Sequence, residues 1–206
     1  FFYIQTVFGI TVIFHLSSNI AKISLFKSGI DKNLIMTIGI PATILVIIGA
    51  YLSSKINNNT IEIILAMFII LLSLSLLINK NLIITPNKKN AILGGAISGF
   101  AAGLVGTGGA IRGLVLASYN LKIETFIATS AMIDLAIDLS RSVVYISQGY
   151  VQYSSLYLLP YLFVISFIGS YLGKKIVTKF GEERFKKTVL IFVLLTGIAT
   201  LFKTLF

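Results

Sequence analysis

Residues 94–113 read GGAISGFAAGLVGTGGAIRG, with glycine at 94, 95, 99, 103, 106, 108, 109 and 113 inside an apolar run that begins at Ala91. Each glycine in a helix interior costs about 0.5–1 kcal/mol relative to alanine, so a plain lipid-facing helix has no use for so many. Three readings compete. Gly95, Gly99 and Gly103 stand at i, i+4 and i+8, a smooth face for a closely packed neighbouring helix. The run Gly106-Thr107-Gly108-Gly109 instead breaks the helix and frees backbone N–H groups to line a small site. The third reading, a nucleotide phosphate loop, fails because no Gly-Lys-Ser/Thr follows and the segment is too apolar to open a soluble βαβ unit. The first two fit together as a smooth approach helix leading into a break.

Around that stretch the 206-residue chain is 56% hydrophobic and only 12% charged, with a mean hydropathy of +0.96. Soluble domains carry about 25% charged residues, so the composition is that of an integral membrane protein. Apolar runs of about 20 residues without alternation mean helices and exclude a β-barrel. Helices are expected at about 3–26, 34–56, 61–79, 91–118 (interrupted), 124–147, 154–176 and 185–204. Short polar connections join them, so residues 1–206 form one all-α polytopic membrane domain. The chain opens on Phe1-Phe2-Tyr3 with neither a cleavable signal pattern nor an initiator Met, which suggests a start partway through a longer protein. Cysteine is absent, which excludes disulfides, thiolate metal sites and cysteine sulfur relays. One histidine and scattered carboxylates make no metal cluster and no nucleophile triad, so neither enzyme nor cofactor is expected. The net charge of +10 does not point to nucleic acid, because the lysines sit between the spans.

An internal repeat appears at a shift of 120 residues: IGAYLSSKI at 48–56 aligns with IGSYLGKKI at 168–176, and Gly29 falls on Gly149. The first half-repeat covers about 1–79 and the second about 91–206; extended backwards, the repeat implies a missing first glycine-rich segment of about 30–40 residues. Lysine placement bears on topology. If the glycine-rich segment crosses fully, Lys22, Lys27, Lys32, Lys80, Lys88, Lys89 and Lys203 oppose Lys55, Lys122, Lys174, Lys175, Lys179, Arg184, Lys186 and Lys187, with no bias. If it dips in and returns, only Lys55 and Lys203 oppose the rest. Membrane proteins show such a bias, so a re-entrant segment between inverted halves is expected.

Non-helical backbone inside a bilayer survives only when buried in protein or lining a wet cavity. Gly106, Thr107, Gly108 and Gly109 therefore imply a polar pocket whose N–H groups, at the positive end of the following half-helix, favour an anion. Arg112, one turn further on, either adds a full charge there or snorkels to an interface. On helix 124–147, Asp134, Asp138 and Arg141 are spaced four and three, on one face. They read as a structural ion pair or as a coupling carboxylate beside a substrate arginine, with Thr129 and Ser130 offering hydroxyls to the same cavity. On the counterpart helix, His15, Asn19 and Lys22 share a face; His15 is a proton acceptor near neutral pH or a packing residue.

Residues 95–99 (GAISG), 103–110 (GLVGTGGA) and Ala128-Thr129-Ser130-Ala131 resemble the sulfite exporter TauE/SafE family (TSUP) of membrane permeases. Ala110 stands where the family has a third glycine, and the family's proline is missing from residues 114–117. The resemblance implies transport of small anions such as sulfite, sulfonates or related sulfur-containing organic acids across the bacterial inner membrane. The expected partners are thus a small anionic substrate and the lipid bilayer, with a homo-oligomer left open. Substrate binding is expected at Gly106, Thr107, Gly108, Gly109, Arg112, Thr129, Ser130 and Arg141, and coupling at Asp134, Asp138, His15 and Asn19. The rival of another class is a non-transporting structural or assembly membrane subunit.

Overall fold

Capping explains where several of the helices begin. The computed structural model describes residues 4–26, 29–53, 55, 58–78, 85–106, 108–151 and 153–205, and no strand occurs among them. Helix α1 spans Ile4–Leu25. Asp31 then caps α2 (Lys32–Leu34), its carboxylate accepting from the Leu34 N–H at 3.0 Å. A π-helical turn, Ile35–Gly39, continues α2 into α3 (Ile40–Leu52) as one rod. That rod closes four residues before the expected 56, where Ser53 Oγ turns back onto the Ala50 carbonyl at 2.7 Å and competes with the helical ladder. Helix α4 spans Asn58–Ile78. Asn87, accepting from the Asn90 N–H at 2.8 Å, starts α5 (Lys88–Val105) a turn earlier than the apolar pattern indicated. Then come α6 (Gly108–Ser118), α7 (Ile123–Ser147), a 3₁₀ turn (Tyr153–Leu158), α8 (Leu159–Val177) and α9 (Glu182–Leu205). Pro160 suits the opening turn of α8, and Glu182 and Glu183 suit the positive end of α9.

The interruption falls at Gly106, whose φ of 82° only glycine adopts without strain, and it reverses the chain. Helix α6 runs back along α5: a Cβ on Gly108 would strike the Ser98 carbonyl, and one on Gly94 would strike Val115. Tyr119, just past α6, donates to the Asn87 carbonyl at 3.0 Å, so the hairpin closes where it opened. Gly95, Gly99 and Gly103 face the rod, where a Cβ would run into the carbonyls of Ile38, Ala42 and Val46. Two apolar clusters enclose the hairpin. Ile38, Ala42, Val46, Ala102, Leu116 and Ile133 form one, and Ile69, Ala101, Ile111, Leu114, Leu190 and Val193 the other.

Loops gather at two ends. At one, Lys174 donates to the Leu25 carbonyl, the Asp31 N–H donates to Thr129 Oγ1 at 3.0 Å, and Lys186 donates to Asn120 Oδ1 at 2.8 Å. At the other, Gln148 Nε2 reaches the Ala50 carbonyl at 3.4 Å, and Gly9 lies against the Tyr150 carbonyl. The 120-residue shift carries α1 onto α7, the α2–α3 rod onto the 3₁₀ turn and α8, and α4 onto α9. Three described helical stretches are long and apolar enough to cross a membrane: Lys32–Leu52, Leu156–Val177 and Glu182–Thr204. Helix α7 falls outside that set because Glu124, Asp134, Asp138 and Arg141 dilute its hydropathy.

Candidate functional site

The tip of the hairpin points its glycines at the polar faces of α1 and α7, and a cavity of about 200 Å³ lies between them. It is lined by His15, Asn19 and Lys22 from α1, Ala102, Gly106, Gly108, Gly109 and Arg112 from the hairpin, and Asp134, Ile137, Asp138 and Arg141 from α7. Helix α7 supplies its charges through the four-and-three spacing, which sets Asp134, Asp138 and Arg141 along one face. Hairpin and α7 meet closely there because Tyr145 reaches across, its hydroxyl donating to the Gly103 carbonyl at 3.0 Å.

The charges are arranged as two ion pairs. Arg141 Nη2 lies 2.8 Å from Asp138 Oδ1, while Arg141 Nη1 donates to the Ala102 carbonyl at 3.2 Å near the helix break. Arg112 pairs with Asp134, whose other oxygen accepts from Ser130 Oγ at 3.3 Å. Asn19 Nδ2 donates to Asp138 Oδ2 at 2.9 Å, and Lys22 Nζ donates to Asn19 Oδ1 at 3.2 Å. Donation therefore runs from Lys22 through Asn19 to Asp138, which Arg141 meets from the other side. Arg112 and Arg141 are buried, yet Arg112 Nε, Arg112 Nη1 and Arg141 Nε have no acceptor among the described residues. A buried donor without a partner carries a desolvation cost of about 1–3 kcal/mol, more when charged.

The structure thus gathers Gly106, Gly108, Gly109, Arg112, Arg141, Asp134, Asp138, His15 and Asn19 around one cavity. Arg112 does not snorkel; it is 3% exposed. Ser130 stands behind Asp134 rather than in the lining. Thr129 lies apart: its hydroxyl accepts the Asp31 N–H and turns to the Gly29 carbonyl at 3.5 Å, clamping the loop ahead of α2 onto α7. Thr107 lies outside the described residues. Lys22 belongs to the lining although its spacing with His15 and Asn19 was the only signal for it. Asp138 gains its amide partner from a helix 119 positions away in sequence, which no local pattern reveals. Among the described residues no cluster of His, Cys, Asp and Glu could hold a metal ion.

A helical membrane protein with a broken hairpin set against buried arginines and carboxylates is the class that fold and site define. The family model for the sulfite exporter TauE/SafE matches residues 1–200. The chain belongs to that family, one of membrane transporters for sulfur anions. No curated protein and no solved structure matches it.

Proposed function

We propose that this chain is a secondary permease for small sulfur-bearing oxyanions, sulfite or sulfonates, in the bacterial cytoplasmic membrane. The anion sits between the Gly106–Gly109 break and the facing sides of α1 and α7, held by Arg112 and Arg141. The observation that carries this is a cavity of about 200 Å³ lined by Arg112 and Arg141, two buried arginines with guanidinium nitrogens that lack acceptors among the described residues. Guanidinium N–H groups suit an oxyanion head, whose oxygens accept several charge-assisted hydrogen bonds. The N-terminal N–H groups of α6 add a positive dipole end on the same side.

The hairpin is re-entrant in this reading, with both of its ends on the basic side of the membrane, and the two halves are inverted. Support comes from the Tyr119–Asn87 closure and from Lys88, Lys89, Lys122, Lys174, Lys175, Lys186 and Lys187 following loops or helix ends that gather together. Asp134 and Asp138, with His15 and Asn19 nearby, form the coupling element, since a proton on either carboxylate weakens its hold on an arginine. Rocking of one half against the other exposes the cavity alternately to each side.

Thermal-shift binding on the purified, folded protein tests the reading. Sulfite, sulfoacetate, thiosulfate, taurine and acetate are compared in wild type and Arg112→Gln. The expected outcome is a rise in melting temperature with at least one of the sulfur oxyanions in wild type and none in the variant. A folded wild-type protein that no anion stabilises would sink the permease reading.

A further inference from the structure

The central cavity brings together every titratable group that faces it: His15 and Lys22 from α1, Arg112 from α6, and Asp134, Asp138 and Arg141 from α7. Two of the three cations are balanced within the protein, Arg112 by Asp134 and Arg141 by Asp138. Lys22 is different. Its bond is to Asn19 Oδ1 at 3.2 Å, a neutral acceptor, and no carboxylate among the described residues pairs with it. With His15 neutral, the cluster carries one positive charge, and that charge resides on α1. Lys22 also lines a groove of about 480 Å³ between α1 and α8, where Ser18, Ser166, Gly169 and Lys174 are its neighbours. Among the described residues it is the one side chain shared by the linings of cavity and groove.

We propose that Lys22, rather than either arginine, is the charge-selecting residue of the site. It supplies the uncompensated positive charge and thereby selects a ligand of one net negative charge. Arg112 and Arg141 contribute directed N–H donors to the oxygens, their own charges being spent on carboxylates. A net charge in a largely buried cluster is costly unless balanced, so the resting site is one charge short and a bound monoanion restores neutrality. A dianion overshoots by one charge. The substrate class that fits is a singly charged oxyanion with three acceptor oxygens, as a sulfonate is. This inference rests on the anion-site reading above.

Binding of methanesulfonate, a monoanion, and of sulfate, a dianion, is measured in wild type, Lys22→Gln, Lys22→Met and Lys22→Arg. Wild type is expected to hold methanesulfonate at least about tenfold more tightly than sulfate, and both neutral variants to lose about tenfold or more of that affinity. Lys22→Arg retains the preference. Lys22→Gln keeps a donor toward Asn19, and its ligand-free melting temperature is expected to stay at or above that of wild type, since removal of an unbalanced charge strands no partner. Wild-type affinity for methanesulfonate in folded Lys22→Gln, or a preference for sulfate in wild type, overturns the role of Lys22. Failure of wild type to bind either probe overturns the anion site itself, and so the two failures are told apart.

Discussion

Asp138 is met by two donors at once, Arg141 Nη2 at 2.8 Å and Asn19 Nδ2 at 2.9 Å, and its side chain is 6% exposed. Removing one partner of a buried ion pair leaves the other charge stranded, which costs about 3–5 kcal/mol, whereas replacing both by apolar residues is often close to neutral. Asp138→Ala should therefore destabilise strongly, Arg141→Met likewise, and the double variant by clearly less than the sum of the two. Thermal unfolding of all three in detergent checks this; simple additivity would show that the pair is not coupled. The i, i+3 spacing of Asp138 and Arg141 made their pairing legible, because helix geometry alone brings such residues together. Arg112–Asp134 and Asn19–Asp138 were not legible, since each bridges separate helices and depends on how those helices pack. Thr129 shows the same limit. Its position one turn before the charged face suggested a cavity hydroxyl, but the Asp31 N–H needed an acceptor where the chain enters α2.

The glycines of the hairpin divide by what surrounds them. Gly95, Gly99 and Gly103 let α5 touch the α2–α3 rod backbone to backbone, and Gly108 lets α6 fold onto α5. Gly109 has more room, the nearest neighbour of an added Cβ being Arg112 Nη2 at 3.6 Å. Gly108→Ala should thus force the two half-helices apart and lower the melting temperature by several degrees, consistent with overpacking costs of about 1–3 kcal/mol. Gly109→Ala should leave the melting temperature nearly unchanged while weakening oxyanion binding, because its methyl group enters the cavity beside Arg112. Equal thermal stability of the two variants would contradict the close approach at Gly108. The four-residue glycine spacing announced a tight helix contact, and the Gly106–Gly109 run announced a break. Which helix fills the smooth face was hidden, because any apolar span serves equally well at the level of pattern. The earlier start of α5 and the π-helical turn were hidden too, one resting on a single cap and the other on packing of Ile38 and Gly39 against the hairpin and α7.

At the scale of the whole molecule, the decisive feature is that a helix–break–helix of 18 and 11 residues returns to the end it left. At about 1.5 Å per residue, α5 measures roughly 27 Å and α6 roughly 16 Å, so α6 alone is too short to cross a hydrocarbon core of about 30 Å. On the proposed re-entrant reading, a hairpin of that size enters the bilayer and returns, which changes the sidedness of everything after it. The sequence bears on that reading only through charge: of fifteen basic residues outside the membrane segments, thirteen fall on one side in a re-entrant plan, whereas a full crossing splits the fifteen seven to eight. Because the chain has no cysteine, sidedness can be read from single introduced thiols without removing native ones. Lys89→Cys and Lys122→Cys flank the hairpin, and Ser147→Cys marks the far end of α7; all three positions are exposed. In right-side-out vesicles a membrane-impermeant maleimide should label Ser147→Cys and spare the other two, and in inside-out vesicles the pattern should reverse. Loss of one lysine leaves the charge bias intact, so the variants keep the native orientation. Labelling of Lys89→Cys and Lys122→Cys from opposite faces would mean that the hairpin crosses the membrane. The halves would then be parallel, and the pocket at Gly106–Arg112 would no longer sit at the meeting point of an inverted pair, where alternating access requires it.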